Sequence, residues 1–193
     1  MFRCPVHVRD AAPADVGDLH DLLAAVVNRA GEEPRPAEAQ AAVAAIAVDP
    51  EQRLVVAELE GRVVGVAHLV RTPLSPLQTE TGVYVLHLNV RDDARRHGVG
   101  RTLMEAIVSW AEEKGSSHVV AAASAASRDT NRFMARLGLG QVAVMRMATV
   151  SALRAKLPVE PPAAARVGSR SPRSVGHVLA QRRSQRRAQA KTS

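Results

Sequence analysis

Apolar residues recur with two different periods along the first 150 positions, and the switches between them predict the order of elements. Val6 to Arg9 reads as a short strand. After Pro13, the residues Val16, Leu19, Leu22, Leu23, Val26 and Val27 fall at helical spacing and predict a helix to about Asn28. The segment NRAGEEPRP interrupts it. An alanine-rich stretch from about Pro36 to Val48, with Val43 and Ile46 as its larger apolar residues, predicts a second helix. Leu54 to Glu60 and Val63 to Val70 are β-branched runs on either side of Glu60, Gly61 and Arg62, the pattern of a hairpin.

TPLSPLQTETG is a loop with two prolines, and Val83 to Val90 follows as a strand. After RDDARRHG, the residues Val99, Leu103, Ala106, Ile107 and Trp110 share one helical face, Arg101, Glu105, Glu112 and Glu113 lie off it, and Gly115 supplies a stop. Val119 to Ala123 is the next strand. A shorter helix around Thr130 to Leu137 ends at Gly138, Gln141 to Val150 reads as a last strand, and SALRAKLP as a short helix. The order is strand, two helices, three strands, helix, strand, helix, strand, which is mixed α/β.

Composition narrows this reading. The chain has 193 residues, the size of one ordinary domain with some additional sequence, and is 46% hydrophobic but only 2% aromatic, so its core must be aliphatic. One cysteine, Cys4, forms no internal disulfide and builds no cysteine-based metal site, which fits a reducing cytoplasm. The start lacks the apolar stretch of a signal peptide, and the longest strongly apolar run, Ala41 to Val48, is far short of a membrane span. The expectation is a cytoplasmic protein with no membrane partner.

Charge is unevenly distributed. The formal net charge is +7, but residues 1–150 hold 16 Lys+Arg against 18 Asp+Glu, a net of −2, while residues 151–193 carry +9. Residues 1–157 therefore read as the domain, and 158–193, rich in Pro, Ala, Arg, Ser and Gly, as a basic, solvated tail. A contact of that tail with nucleic acid or an acidic surface is the alternative.

The chemistry concentrates in one segment. The strand ending Leu88-Asn89-Val90 delivers the chain through a short turn into Arg95-Arg96-His97-Gly98-Val99-Gly100-Arg101 at the mouth of the long helix. Unpaired N–H groups at such a helix start favour anions. Gly98 and Gly100 remove side chains where a phosphate would approach, and Arg95, Arg96 and Arg101 add charge, so a pyrophosphate is the natural guest. A Rossmann fingerprint and a P-loop are both excluded by their missing residues. The seven histidines show no His-Glu-x-x-His spacing, there is no Gly-x-Ser-x-Gly elbow, and no metal is expected.

This stretch resembles the acetyl-CoA signature Gln/Arg-x-x-Gly-x-Gly/Ala of the GCN5-related N-acetyltransferase superfamily, and FMARLGL resembles that superfamily's later Gly-Phe phrase. The resemblance runs from Val6 to Val150. It implies a GNAT fold: a mixed sheet of six or seven strands, splayed between the fourth and fifth and flanked by about four helices. It implies acetyl-CoA as acyl donor, with the backbone of Leu88, Asn89 and Val90 against the pantetheine arm and Arg96 to Arg101 at the pyrophosphate. Ser127 falls on the position of an asparagine that contacts the arm, and Asn131 lies nearby.

Three departures bear on mechanism. The family's proton-donating tyrosine falls on Met134, and the chain's single tyrosine, Tyr84, lies elsewhere. The positions of the relatives' basic glutamates are Tyr84 and Ala122, which leaves His87, His68 and Glu80 as candidate bases. Relatives usually close with a two-stranded hairpin, so a final strand here would come from the tail or from another subunit, as in a homodimer. The resemblance implies transfer to a primary amine of a small molecule or a protein, and Glu32 and Glu33 would favour a cationic one. The alternative is an acyl-CoA-binding module or regulator without turnover.

Overall fold

The computed structural model describes residues 5–30, 35–123 and 127–157. Cys4, Glu32, Glu33 and the basic tail of 158–193 lie outside the described residues. The chain divides into two units, one up to Val144 and one from Met145.

Five strands form one sheet in chain order: β1 (His7–Asp10), β2 (Gln52–Leu59), β3 (Arg62–Pro73), β4 (Thr81–Val90) and β5 (His118–Ala121). The first four run antiparallel, and β5 lies parallel to β4. The β2–β3 hairpin turns on Glu60 and Gly61, with φ of 54° and 74°. Both central residues of such a tight turn occupy the left-handed region that matches the twist of the strands.

Helices α1 (Val16–Ala30) and α2 (Pro36–Val48) cover one face. Their Leu19 and Val43 bury against Leu54, Val56 and Val66. Helix α3 (Val99–Glu113) covers the other, where Leu103, Ile107 and Trp110 close over Val55, Ala57, Leu69 and Val85. Each large aliphatic side chain buried there contributes about 1.5–3 kcal/mol, and the packed set is almost wholly aliphatic, as the composition requires. Helix α3 sits unusually close to the sheet because β3 carries Gly65 beneath it: a Cβ there would stand 2.9 Å from Val99 Cγ1 and 3.1 Å from Leu103 Cδ1. That approach fixes where the helix begins.

Beyond β5, α4 (Arg128–Arg136) belongs to the first unit and α5 (Val150–Lys156) to the second. The expected strand Gln141 to Val150 is absent: residues 141–149 hold no regular structure, and Val150 already begins α5, capped by Thr149 Oγ1 accepting from Ala152 N–H at 3.2 Å. The described sheet thus has five strands rather than six or seven. β-Branched content favours a pleated surface but does not supply one, and no described strand offers this segment a ladder. Val142 and Met145 are accordingly 87% and 80% exposed.

Candidate functional site

The site is built around β4, whose two edges differ. Toward β3 the strand is paired from Thr81 to Val90, with Leu86 alone left out of the register. Toward β5 the ladder stops at Val85, followed only by Ala122 N–H donating to the Val85 carbonyl at 3.0 Å. Residues 86–90 therefore present a free edge among the described residues. The departure coincides with a bulge: His68 pairs with His87 and Leu69 with Val85, so Leu86 is an extra residue in β4. A bulge bends its strand and increases its twist, which separates β4 from β5 at that point.

The chain then turns through Asp92–Ala94 into α3, and several ties hold the turn. Arg91 N–H donates to the Val64 carbonyl at 2.8 Å, Arg91 Nε to the Val63 carbonyl at 3.1 Å and Arg91 Nη2 to Asp18 at 2.8 Å. Arg62 pairs with Asp93, Arg95 Nη2 lies 2.7 Å from Asp92, and Ala94 is buried. Arg96 and Gly98 adopt left-handed backbones, φ 64° and 90°, which swing the chain onto the helix axis. The first backbone bond of α3 is Thr102 N–H to the Gly98 carbonyl at 3.0 Å, so the N–H groups of Val99, Gly100 and Arg101 have no intrahelical acceptor. Nothing lies within 4 Å of where a Gly98 Cβ would stand. At Gly100 a Cβ would come 3.4 Å from Phe133 Cζ, which brings α4 against the start of α3.

Between these elements lies a cleft of about 900 Å³. Leu88, Asn89 and Val90 of β4 line it, as do Arg95, Arg96 and Gly98 of the turn and Val99, Gly100 and Arg101 of the helix. The three other residues singled out from sequence stand elsewhere. His97 Nδ1–H donates to the Arg95 carbonyl at 2.9 Å and buttresses the turn from outside. Ser127 caps α4, its hydroxyl accepting from Thr130 N–H at 3.3 Å, and Asn131 Nδ2–H donates to the Ser127 carbonyl at 2.7 Å.

The cleft also has residues that the sequence reading did not assign to the site: Asp129, Thr130, Arg132, Phe133 and Arg136 of α4. A signal was present, because Arg128, Arg132 and Arg136 recur every fourth residue and so share a helix face. Met134, on the position of the family's tyrosine, is 5% exposed and does not line the cleft.

The three candidate bases separate in space. Glu80 precedes the start of β4 and accepts from Ser117 Oγ, at the end of the strand away from the divergence. His68 and His87 are cross-strand partners on the face covered by α1 and α2, their rings stacked 6.0 Å apart at 20°. His68 Nε2 lies 3.2 Å from Gln52 Oε1. Burial holds both imidazoles below the usual histidine pKa, and His68 is lowered further by the charge of His87. Both are therefore neutral at pH 7. Asn89 on the same face donates through Nδ2 to the Leu22 carbonyl at 3.1 Å, joining β4 to α1. No group of three metal-ligating side chains occurs among the described residues, and none of the described helices is long and apolar enough to cross a membrane.

The family model for the acetyltransferase (GNAT) family matches residues 20–139. Among solved structures, a transcriptional regulator from Bacillus halodurans is 24% identical with a TM-score of 0.67, over 75% of this chain and 100% of that one. An aminoglycoside N-acetyltransferase in complex with CoA is 15% identical with a TM-score of 0.62, over 75% and 94%. Glucosamine-6-phosphate N-acetyltransferase from Arabidopsis thaliana is 13% identical with a TM-score of 0.63, over 76% and 99%. At these identities the likeness is one of fold. No curated protein sequence matches the chain.

Proposed function

Because the chain belongs to the acetyltransferase (GNAT) family, we propose that it is an acetyl-CoA-dependent N-acetyltransferase acting on a primary amine of a small molecule or a protein. The observation that carries this reading is the coincidence of the free β4 edge and the unsatisfied amides of α3 in one cleft. Acetyl-CoA supplies an electrophilic thioester and a thiolate leaving group. The N–H groups of Val99, Gly100 and Arg101, with the guanidinium of Arg96 beside them, would hold its pyrophosphate, and the helix dipole adds to their field. The open edge of Leu88 to Val90 would pair with the amides of the pantetheine arm, much as an added strand does.

The acceptor amine must reach the carbonyl unprotonated. Of the three candidate bases His87 stands next to the bulge where β4 leaves β5, but neither it nor His68 nor Glu80 lines the cleft, so this reading assigns no base. The donor CoA complex of the aminoglycoside acetyltransferase supports the assignment of the cleft by analogy of fold. Calorimetry with acetyl-CoA and thiol release across a panel of primary amines test the reading. Saturable binding with release is expected. No binding overturns it, and binding without release for any amine favours an acyl-CoA-binding module, a reading motivated by the buried Met134 where relatives carry a tyrosine.

A further inference from the structure

A second concavity lies at the far end of α3 from the cleft. It encloses about 270 Å³ where β1 ends and β2 begins, between the last turns of α2 and α3. Its floor is apolar: Ala11, Val43, Leu54 and Trp110 are buried, and Ile46 and Ala47 of α2 close one side. Trp110 stands about 15 Å along the helix axis from Gly100, at 1.5 Å per residue, and no residue lines both cavities. The volume is less than a third of the cleft's 900 Å³, too small for a nucleotide coenzyme and below the range of a drug-sized ligand.

The polar groups at its rim are engaged within the protein, with one exception. Arg53 Nε donates to Asp10 Oδ1 at 2.7 Å. Asp49 accepts from Gln52 Nε2 at 2.7 Å and from Glu51 N–H at 2.9 Å. The carbonyls at the end of α3, which would favour a cation, are also taken: those of Trp110, Ala111 and Glu112 accept from the N–H groups of Lys114, Ser116 and Gly115. The exception is Lys114, half-buried and one turn beyond Trp110, whose ammonium brings three donors and no acceptor. We propose that this cavity is a ligand site separate from the cleft, for a small amphipathic carboxylate: a cyclic or branched hydrocarbon body lies against Trp110, Val43 and Ile46, and its carboxylate pairs with Lys114. An apolar floor supplies the burial, and the single charged group at the rim fixes the orientation. The site does not depend on the donor reading of the cleft.

Trp110 is the only tryptophan of the chain, so its fluorescence reports on this cavity. Titration of the full chain with cyclohexanecarboxylate should give a saturable change with a dissociation constant at or below about 1 mM. The neutral cyclohexanecarboxamide and the cationic cyclohexylmethylammonium should bind at least about tenfold more weakly, the effect of one hydrogen bond between charged groups. In Lys114→Gln the preference for the carboxylate over the amide should fall below about threefold. Ala47→Phe, at an exposed position of the lining, should fill the cavity and abolish saturation, with circular dichroism checking that α2 persists. Excess acetyl-CoA should leave the affinity for the carboxylate unchanged. No saturable change in the wild-type chain, equal or tighter binding of the amide or the ammonium, or a preference retained in Lys114→Gln overturns the site. Saturation retained in Ala47→Phe, or displacement by acetyl-CoA, overturns it as well.

Discussion

The two edges of β4 are made by the same ten residues and have opposite fates. Toward β3 every position from Thr81 to Val90 except the bulged Leu86 has a partner, and α3 packs over the sheet so closely that a Cβ at position 65 would stand 2.9 Å from Val99 Cγ1. Toward β5 the pairing ends halfway, at Val85. The closed edge is where burial is concentrated; the open edge is where polar backbone, free amides and arginines meet. Strong packing on one side is what allows the other side to keep donors unsatisfied, because the folded state is a small difference between large terms. Substitutions on the closed side should therefore register in stability, and those on the open side in ligand affinity.

The largest expected effect belongs to the closed side. Leu103 is fully buried between α3 and the sheet. Leu103→Ala should lower unfolding free energy by about 2–5 kcal/mol, from lost transfer and the cavity left behind. Urea unfolding followed by circular dichroism measures it, and a loss below about 1 kcal/mol would mean that the α3 face is not the packed core described here.

On the open side, Gly98→Glu places a carboxylate where nothing stands within 4 Å and where the pyrophosphate is proposed to sit. Like-charge juxtaposition costs several kcal/mol, so affinity for acetyl-CoA should fall by about 100-fold or more. The backbone at φ 90° adds strain for any residue with a Cβ. Gly98→Asn separates the two causes, because asparagine tolerates the left-handed region and brings no charge. Its affinity should fall by less than about tenfold, and an equal loss in both variants would assign the effect to backbone strain.

How much of this was legible from sequence follows the same division. The closed side was readable because periodicity reports burial: of Val99, Leu103, Ala106, Ile107 and Trp110, which the spacing assigns to one face, all are buried except the partly buried Ala106. The amide bank was readable because glycines and arginines at a strand-to-helix junction have a direct electrostatic meaning. The α4 bank was not, although its four-residue arginine spacing was visible, because nothing local says toward what a short helix turns its face. The bulge at Leu86 was equally hidden. Strict alternation would put Tyr84 and His87 on opposite faces, yet the extra residue brings both to the face of α1 and α2, opposite Val70 and His68. Gln141 to Val150 failed as a strand because a strand is a relation between two segments and its propensity resides in only one.

Ser127 tests the boundary between the two kinds of residue. It was aligned with a contact to the pantetheine arm, but its hydroxyl caps α4. Ser127→Ala should cost about 1 kcal/mol of stability, the usual worth of an N-cap, and change acetyl-CoA affinity by less than about threefold. A loss of affinity larger than the loss of stability explains would return Ser127 to the binding residues.

The smallest effect separates the edges by pH. His68 and His87 are paired across the closed edge, half-buried, with pKa values below the ordinary 6.5 because burial penalises the charged imidazole. Above pH 6.5 both are neutral in the folded and unfolded chain and contribute no slope. As pH falls through 6.5 the unfolded chain binds protons first, so stability declines until the folded imidazoles titrate in turn. The melting temperature should therefore drop between pH 7 and 5, and His68→Gln/His87→Gln should flatten that drop. Asp15 acts in a separate window: hydrogen bonds from Arg9 hold its carboxyl below the ordinary 3.8, so its contribution is present above that value and lost as pH falls through the folded pKa. A melting temperature that declines between pH 7 and 5 as steeply in the double variant as in the wild type would place the acid sensitivity outside this pair.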